Sequence, residues 1–288
     1  MPLPCPAAMD KSGRLGHIAE PKDAGVRDVQ ERVIPQGGPL TGAPALALVS
    51  QATEAGLLAD LEATLGRGQG FAVATLNLDH LVKMARDPGF AAAYRAQTHV
   101  VADGNPVVWL RALMRRPVTL VPGSELIAPL AALAARRGVP VALYGSDQAT
   151  LDLAADRLAA AHPGLQVVAR IAPAFGFDPM GDMAAADLAR LADMGARLVF
   201  LALGAPKQEM LAARGLTLQP ALGFVSIGAG LDFIAGAQVR APLWVRRIAM
   251  EWAWRLGSHP RRLAQRYWDC ALILPGLVLA AWAARTKA

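Results

Sequence analysis

Asp103 has the residue type and the setting to do chemistry. It follows the apolar run 99–102 and precedes Gly104, so a carboxylate stands at a strand end beside a glycine that lets a substrate approach closely. Such a group suits a general base that takes a proton from a hydroxyl. The same position also suits the N-cap of a following helix, because Asp is a favoured cap. Position alone does not separate the two. Thr75 and Asn77 close another apolar run and offer neutral hydrogen-bonding groups, able to orient a hydroxyl or sugar ring or simply to form a turn and cap.

The segment Gly204-Ala205-Pro206-Lys207-Gln208-Glu209 is more specific. Glycine and proline shape a tight strand-to-helix turn, and a helix starting there would offer unpaired N–H groups to a phosphate. Lys207 would add charge, and Gln208 could read a base or ribose. An ordinary turn with solvated polar residues is the plainer alternative. Gly228-Ala229-Gly230 resembles part of a dinucleotide fingerprint, but the third glycine is not at the required spacing. A glycine-rich loop near a nucleotide is the safer statement, and it runs on to Leu231 and Asp232.

The chain has no Cys/His cluster and no Asp-x-Asp pair, so chemistry without a metal or other cofactor is expected. Cys5 and Cys270 stand far apart and in no paired motif, which fits a reducing compartment. The N-terminus lacks the apolar run of a signal peptide, so a cytoplasmic protein is expected.

The elements that must position these residues follow from the hydrophobic pattern. Residues 1–44 are rich in Pro, Gly and charge and read as a flexible leader. From Ala45, short apolar runs alternate with amphipathic stretches, as βα units do. Strands are expected at 70–75, 99–102, 139–144, 165–171, 197–203 and 221–227, with helices such as 125–137, 149–161 and 183–194 between them. The last three runs (VVARI, LVFLAL, LGFVSI) read as apolar on both faces, as buried parallel strands are. The expected fold is α/β: a Rossmann-like, doubly wound, mainly parallel sheet over 45–239. Ligands of such sheets bind beyond the carboxyl ends of the strands. The residues there are Thr75-Leu76-Asn77, Asp103-Gly104-Asn105, Gly145-Ser146-Asp147, 204–209 and 228–232, repeatedly small and polar.

Residues 240–288 differ in character. They hold nine basic residues (Arg240, Arg246, Arg247, Arg255, Arg261, Arg262, Arg266, Arg285, Lys287) against Glu251 and Asp269, a local charge of +7. The preceding 239 residues, with 20 basic and 21 acidic side chains, carry −1, so the net +6 is a C-terminal property. Five of the six tryptophans (Trp244, Trp252, Trp254, Trp268, Trp282) lie there too. Trp with Arg suits a membrane interface bearing anionic lipid. The apolar run 270–284 contains Pro275-Gly276 and falls short of the ~20 residues needed to span a bilayer. A helical, basic, membrane-associating appendage is expected, lying on the surface; a helix pair packed on the sheet is the alternative. The apolar run argues against an RNA-binding tail, so no nucleic acid is expected.

The segments TLNLDH (75–80), VVADGNPVV (100–108), PGSEL (122–126), LYGS (143–146), LVFLALGAPKQE (198–209), SIGAGLDFIAG (226–236), RAP (240–242), EWAWRL (251–256) and HPRRLAQRY (259–267) together resemble the WecG/TagA/CpsF family of bacterial glycosyltransferases, in the family's order over roughly 45–267. The resemblance implies inverting transfer from a UDP-sugar to a polyprenyl-diphosphate-linked saccharide at the inner membrane leaflet, in cell-surface polysaccharide synthesis. It places the catalytic base on Asp103, with Thr75 and Asn77 beside it. The donor side would take Gly145, Gly204, Pro206, Lys207, Gln208, Glu209, Gly228, Gly230 and Asp232. The C-terminal arginines would meet membrane and acceptor and help close the site. In family members a basic residue often precedes the PGSEL turn, whereas here Leu120 and Val121 stand there; Arg115, Arg116 or a C-terminal arginine would have to replace it. A homo-oligomer is compatible with the sequence. The competing readings are an NAD-dependent Rossmann oxidoreductase, disfavoured by the incomplete fingerprint and basic C-terminus, and a non-catalytic membrane adaptor, which leaves the polar strand ends unexplained.

Overall fold

The computed structural model describes residues 37–238, 241–242, 244–245, 250–258 and 260–285. The elements in chain order are α1 (Gly42–Ala47), α2 (Glu54–Gly66), β1 (Phe71–Leu76), α3 (Leu78–Arg86), α4 (Pro88–Arg95), β2 (His99–Ala102), α5 (Asn105–Leu113), a 3-10 turn (Gly123–Glu125), α6 (Ile127–Arg137), β3 (Val141–Gly145), α7 (Gln148–Ala161), β4 (Val167–Ile171), α8 (Asp182–Asp193), β5 (Leu198–Ala202), α9 (Lys207–Leu218), β6 (Gly223–Ser226), α10 (Gly230–Ala235), α11 (Glu251–Ser258) and α12 (Pro260–Ala284). The six strands form one sheet in the order β2-β1-β6-β5-β3-β4. Every pairing is parallel. The doubly wound α/β sheet expected from the alternation is therefore the fold, with strand ends shifted by at most two residues.

Side-chain alternation divides the core. Phe71, Val73, Val101, Leu143, Phe200 and Val225 point to one face, where α2, α6, α7 and α10 cover them. Ala74, Leu76, Val100 and Ala102 point to the other, under α1, α3, α4, α5 and α12. Further along that face, Tyr144, Val199, Leu201 and Phe224 pack beneath α8 and α9. A parallel sheet needs both layers, because its crossover helices must bury their own apolar stripes somewhere.

Three expectations are corrected. VVARI is not buried on both faces: β4 is an edge strand, with Arg170 exposed and paired with Asp152 at 3.1 Å. Composition cannot distinguish edge from centre when only one face is covered. PGSEL does not open a helix at Glu125 but forms a 3-10 turn, and the helix begins at Ile127. Thirdly, the run 270–284 is not a short interrupted segment. It is the end of α12, which passes through Pro275 without a break, and its portion Leu263–Ala284 is long and apolar enough to cross a membrane by length and composition. Proline removes one backbone donor, and a helix anchored on both sides of that point tolerates the loss.

That anchoring is substantial. Leu263, Cys270, Leu277 and Ala281 are buried at near-heptad spacing, and the last two enter the core beside Leu46 and Leu81. Arg86 pairs with Asp269 at 2.8 Å, and Arg266 with Asp79 at 3.2 Å, so α12 is also pinned to α3 by charge. Of the expected leader, residues 1–36 lie outside the described residues. The remainder is already engaged: Leu40 N–H donates to Met84 O, and α1 begins at Gly42.

Candidate active site

The carboxyl ends of the strands bring the sequence motifs together in three groups. In the first, Thr75 pairs with Val101 and Leu76 with Ala102, which sets Asn77 opposite Asp103. Asp103 N–H donates to Leu76 O at 2.8 Å, tying the two tips. The cap of α5 is Gly104, without a side-chain bond, so Asp103 is not the N-cap that its position allowed. Its half-buried carboxylate stands before the helix. Asn77 does serve as a cap: its side-chain oxygen accepts from His80 N–H at 3.0 Å, which leaves its amide NH2 for other use.

Thr75 is buried, and the turn Gly123–Glu125 lies against it; a Cβ on Gly123 would stand 3.1 Å from Thr75 Cγ2 and 2.9 Å from Ser226 O. Beneath the tip, Tyr94 Oη donates to Thr75 O at 3.1 Å and lies 2.6 Å from His80 Nδ1. Burial pushes His80 down to about 3, so the ring is neutral, and pushes the Tyr94 hydroxyl well above its usual range. This His–Tyr prop left no signal in the sequence, because its partners are fourteen residues apart on different helices.

The second group is the turn after β5. Gly204 adopts φ +71°, and Pro206 caps α9. Gln208 N–H donates to Gly204 O at 3.2 Å and Met210 N–H to Pro206 O at 3.1 Å. Glu209 is fully buried in the first turn of the same helix, where a carboxylate already meets the positive end of the helix dipole. The start of α9 is thus less open to phosphate than a bare helix end. Gln208 instead reaches across: its Oε1 accepts from Gly228 N–H at 3.2 Å, and its Nε2 donates to Glu209 Oε1 at 2.8 Å. Lys83 from α3, which sequence reasoning passed over, donates to Ala205 O at 3.0 Å and pairs with Asp79 at 2.8 Å. Its only signal was the i,i+4 spacing from Asp79.

The third group joins β3 to the loop after β6. Gly145 has φ +112°, and a Cβ there would lie 2.4 Å from Ala202 O, so only glycine allows β3 to lie this close to β5 at its end. Ser146 Oγ then donates to Asp232 Oδ1 at 2.9 Å, and Gln238 Nε2 to Asp232 Oδ2 at 2.7 Å. Gly230 packs against Ile127 and Ser124.

The basic residues are less concentrated. Arg240, Arg246 and Arg247, with the side chains of Arg255 and Arg262, lie outside the described part. Arg261 is exposed, and Arg266 is held by Asp79, two residues from Asn77. Arg115 and Arg116 are exposed on the loop leading to Leu120, which bridges to Ala102 at the β2 tip.

A half-buried carboxylate, a neutral amide and hydroxyl beside it, and a polar loop pair across the sheet form one edge that can activate a hydroxyl and seat a polar ligand. That edge was assembled from segments spread over more than 150 residues. The sequence matches the glycosyl transferase family WecG/TagA/CpsF over residues 44–288, which takes in all three groups as well as α12. The chain belongs to the WecG/TagA/CpsF glycosyl transferase family.

Proposed function

We propose that the protein transfers a hexose or N-acetylhexosamine from a UDP-sugar to a polyprenyl-diphosphate-linked saccharide, with inversion, at the cytoplasmic face of the inner membrane in cell-surface polysaccharide synthesis. The observation that carries the reading is the half-buried Asp103 carboxylate at the β2 tip, set opposite Asn77. Asp103 removes the proton from an acceptor hydroxyl as that oxygen bonds to the anomeric carbon, and the bond from that carbon to UDP breaks on the opposite face. Asn77 and Thr75 orient the reacting groups. Gln208, Glu209, Gly228, Gly230 and Asp232, with Gly145, Gly204, Pro206 and Lys207, form the donor side. Lys207 and the C-terminal arginines balance the diphosphate charge. The absence of an Asp-x-Asp pair from the sequence supports a transfer in which these protein groups do that work.

The membrane part of the reading rests on α12. Its inner face is packed on α1, α3 and α5, while Trp268, Leu272, Val278, Leu279 and Trp282 are exposed on the other side. An exposed apolar strip of this size, flanked by arginines, suits the headgroup boundary of anionic lipid. A helix already packed along one face lies at the surface more readily than it crosses.

The test is a panel of UDP-sugars with a polyprenyl-diphosphate acceptor, the product anomer being read by NMR. One sugar transferred with inversion is the expected outcome. Transfer with retention, or from no UDP-sugar in the panel, would overturn the proposal.

A further inference from the structure

We propose that Glu209 is a positioning residue for the donor: its carboxylate fixes which way the Gln208 amide faces, and through that amide it holds the Gly228 turn. The proposal rests on the reading that Gln208 and Gly228 lie on the donor side.

The geometry leaves little choice of orientation. A glutamine amide has an acceptor end and a donor end of nearly equal shape, and its neighbours decide which is which. Gly228 N–H needs an acceptor, so Gln208 Oε1 must face it. The Nε2 end then needs an acceptor of its own, and Glu209 Oε1 supplies one at 2.8 Å. An ionised carboxylate can only accept, so it holds the amide in this sense. A protonated one offers an O–H as well, which competes with Gly228 N–H for the amide oxygen and loosens the hold on the turn.

Besides Gln208, the carboxylate meets the backbone N–H of its own residue. Glu209 is the third residue of α9, where a glutamate ordinarily reaches back to the N–H of the capping residue. Here the cap is Pro206, which has no N–H. Accordingly Glu209 Oε2 is buried without a hydrogen-bond partner among the described residues. A fully buried carboxylate with one oxygen left over is costly, and Gln208 is its side-chain partner. The peptide beside it is fixed from the other side, where Gln97 Nε2 donates to Glu209 O at 3.0 Å.

Burial also pushes this carboxyl up to about 7, so its ionisation falls in the working range. Around it, Lys83 from α3 favours the ionised form and Asp79 from the same helix opposes it. Tyr94 faces it from α4 as a neutral hydroxyl. β1 and β6 bring no ionisable side chain. α8 carries Asp182, Asp187, Arg190 and Asp193, of which Asp187 accepts from Tyr144 Oη. On α9 itself stand Lys207 and Arg214, the latter donating to Pro179 O and Gly181 O.

The experiment uses the full chain as wild type, Glu209→Gln and Glu209→Leu. The Gly228 amide resonance is followed over about pH 6 to 8, and UDP affinity is measured by calorimetry across the same range. In wild type the resonance should titrate near neutrality, and UDP affinity should fall several-fold as the pH drops through that transition. In Glu209→Gln the resonance should not titrate, and UDP affinity should keep only the pH dependence of the UDP phosphate itself. Glu209→Leu should lose roughly 10-fold in UDP affinity at every pH, with donor KM rising more than kcat falls, and Gln should restore most of what Leu loses. A purely structural role predicts no such split. Gly228 that does not titrate in wild type, or still titrates in Glu209→Gln, overturns the proposal, as does wild-type UDP affinity in Glu209→Leu. Wild-type protein that binds no UDP at any pH overturns the donor reading itself; the Gly228 titration, which needs no ligand, then still decides whether Glu209 holds that turn.

Discussion

At the scale of single residues, the two most consequential groups are a half-buried carboxylate and a fully buried one. Asp103→Asn keeps the shape of the β2 tip and removes its basicity, so kcat should fall by about 10²–10⁴-fold while UDP affinity holds. Single-turnover assays beside calorimetry check this, and near wild-type turnover would take Asp103 out of the base role. The buried groups below the site make a second prediction, on stability. His80 sits at about 3 in the fold against 6.5 in a free chain, so the unfolded state takes up a proton that the native state refuses. Its contribution is present above 6.5 and is lost as the pH falls toward 3. Glu209 has the opposite sign, because its pKa rises from 4.5 to about 7 on folding. Its stabilising contribution is present below 4.5 and is lost as the pH rises through 7. Between roughly 4.5 and 6.5 the two slopes, each at most about 1.4 kcal/mol per pH unit, oppose one another. Glu209→Gln removes one of them. Its denaturation midpoint should therefore drop on acidification from 6.5 to 4.5 more steeply than that of wild type, and parallel profiles would contradict the assignment.

At the scale of elements, α12 has one face packed in the core and the other exposed. Leu277 enters the core between α1 and α3, so Leu277→Ala should cost about 2–5 kcal/mol, visible in urea unfolding. Leu279 and Trp282 point outward, so Leu279→Gln with Trp282→Gln should change stability by no more than ~0.5 kcal/mol per site yet weaken sedimentation with anionic vesicles. Vesicle binding unchanged in that double variant would count against α12 as the membrane contact. Removing the whole helix is the blunter test, because it also uncovers Leu46 and Leu81 and breaks the Arg266–Asp79 and Arg86–Asp269 pairs.

At the scale of the molecule, positive charge is concentrated at one end of the chain. Residues 240–288 carry +7 and the remainder −1. Binding to anionic vesicles should therefore weaken steeply as salt rises, since the screening length shrinks from about 10 Å at 0.1 M to about 3 Å at 1 M. Binding to neutral vesicles should be weaker throughout and far less dependent on salt. Equal affinity for both lipid compositions would mean that the arginines do not steer the protein to its surface.

The succession of strands and helices along the chain was legible in the sequence, because hydrophobic alternation and glycine-rich strand ends are local properties. The position of Asp103 at a strand tip, the residues of the post-β5 turn and the charge asymmetry could be read for the same reason. What the sequence could not decide were relations across the sheet. Whether Asp103 caps its helix depended on Gly104 taking that position. That VVARI forms an edge depended on strand order, which no local pattern records. The Gln208–Gly228 and Ser146–Asp232 bonds join residues 20 and 86 positions apart. The local cost of Pro275 is visible in the sequence, whereas the packing of Leu277 and Ala281 that offsets it exists only once α1, α3 and α12 meet.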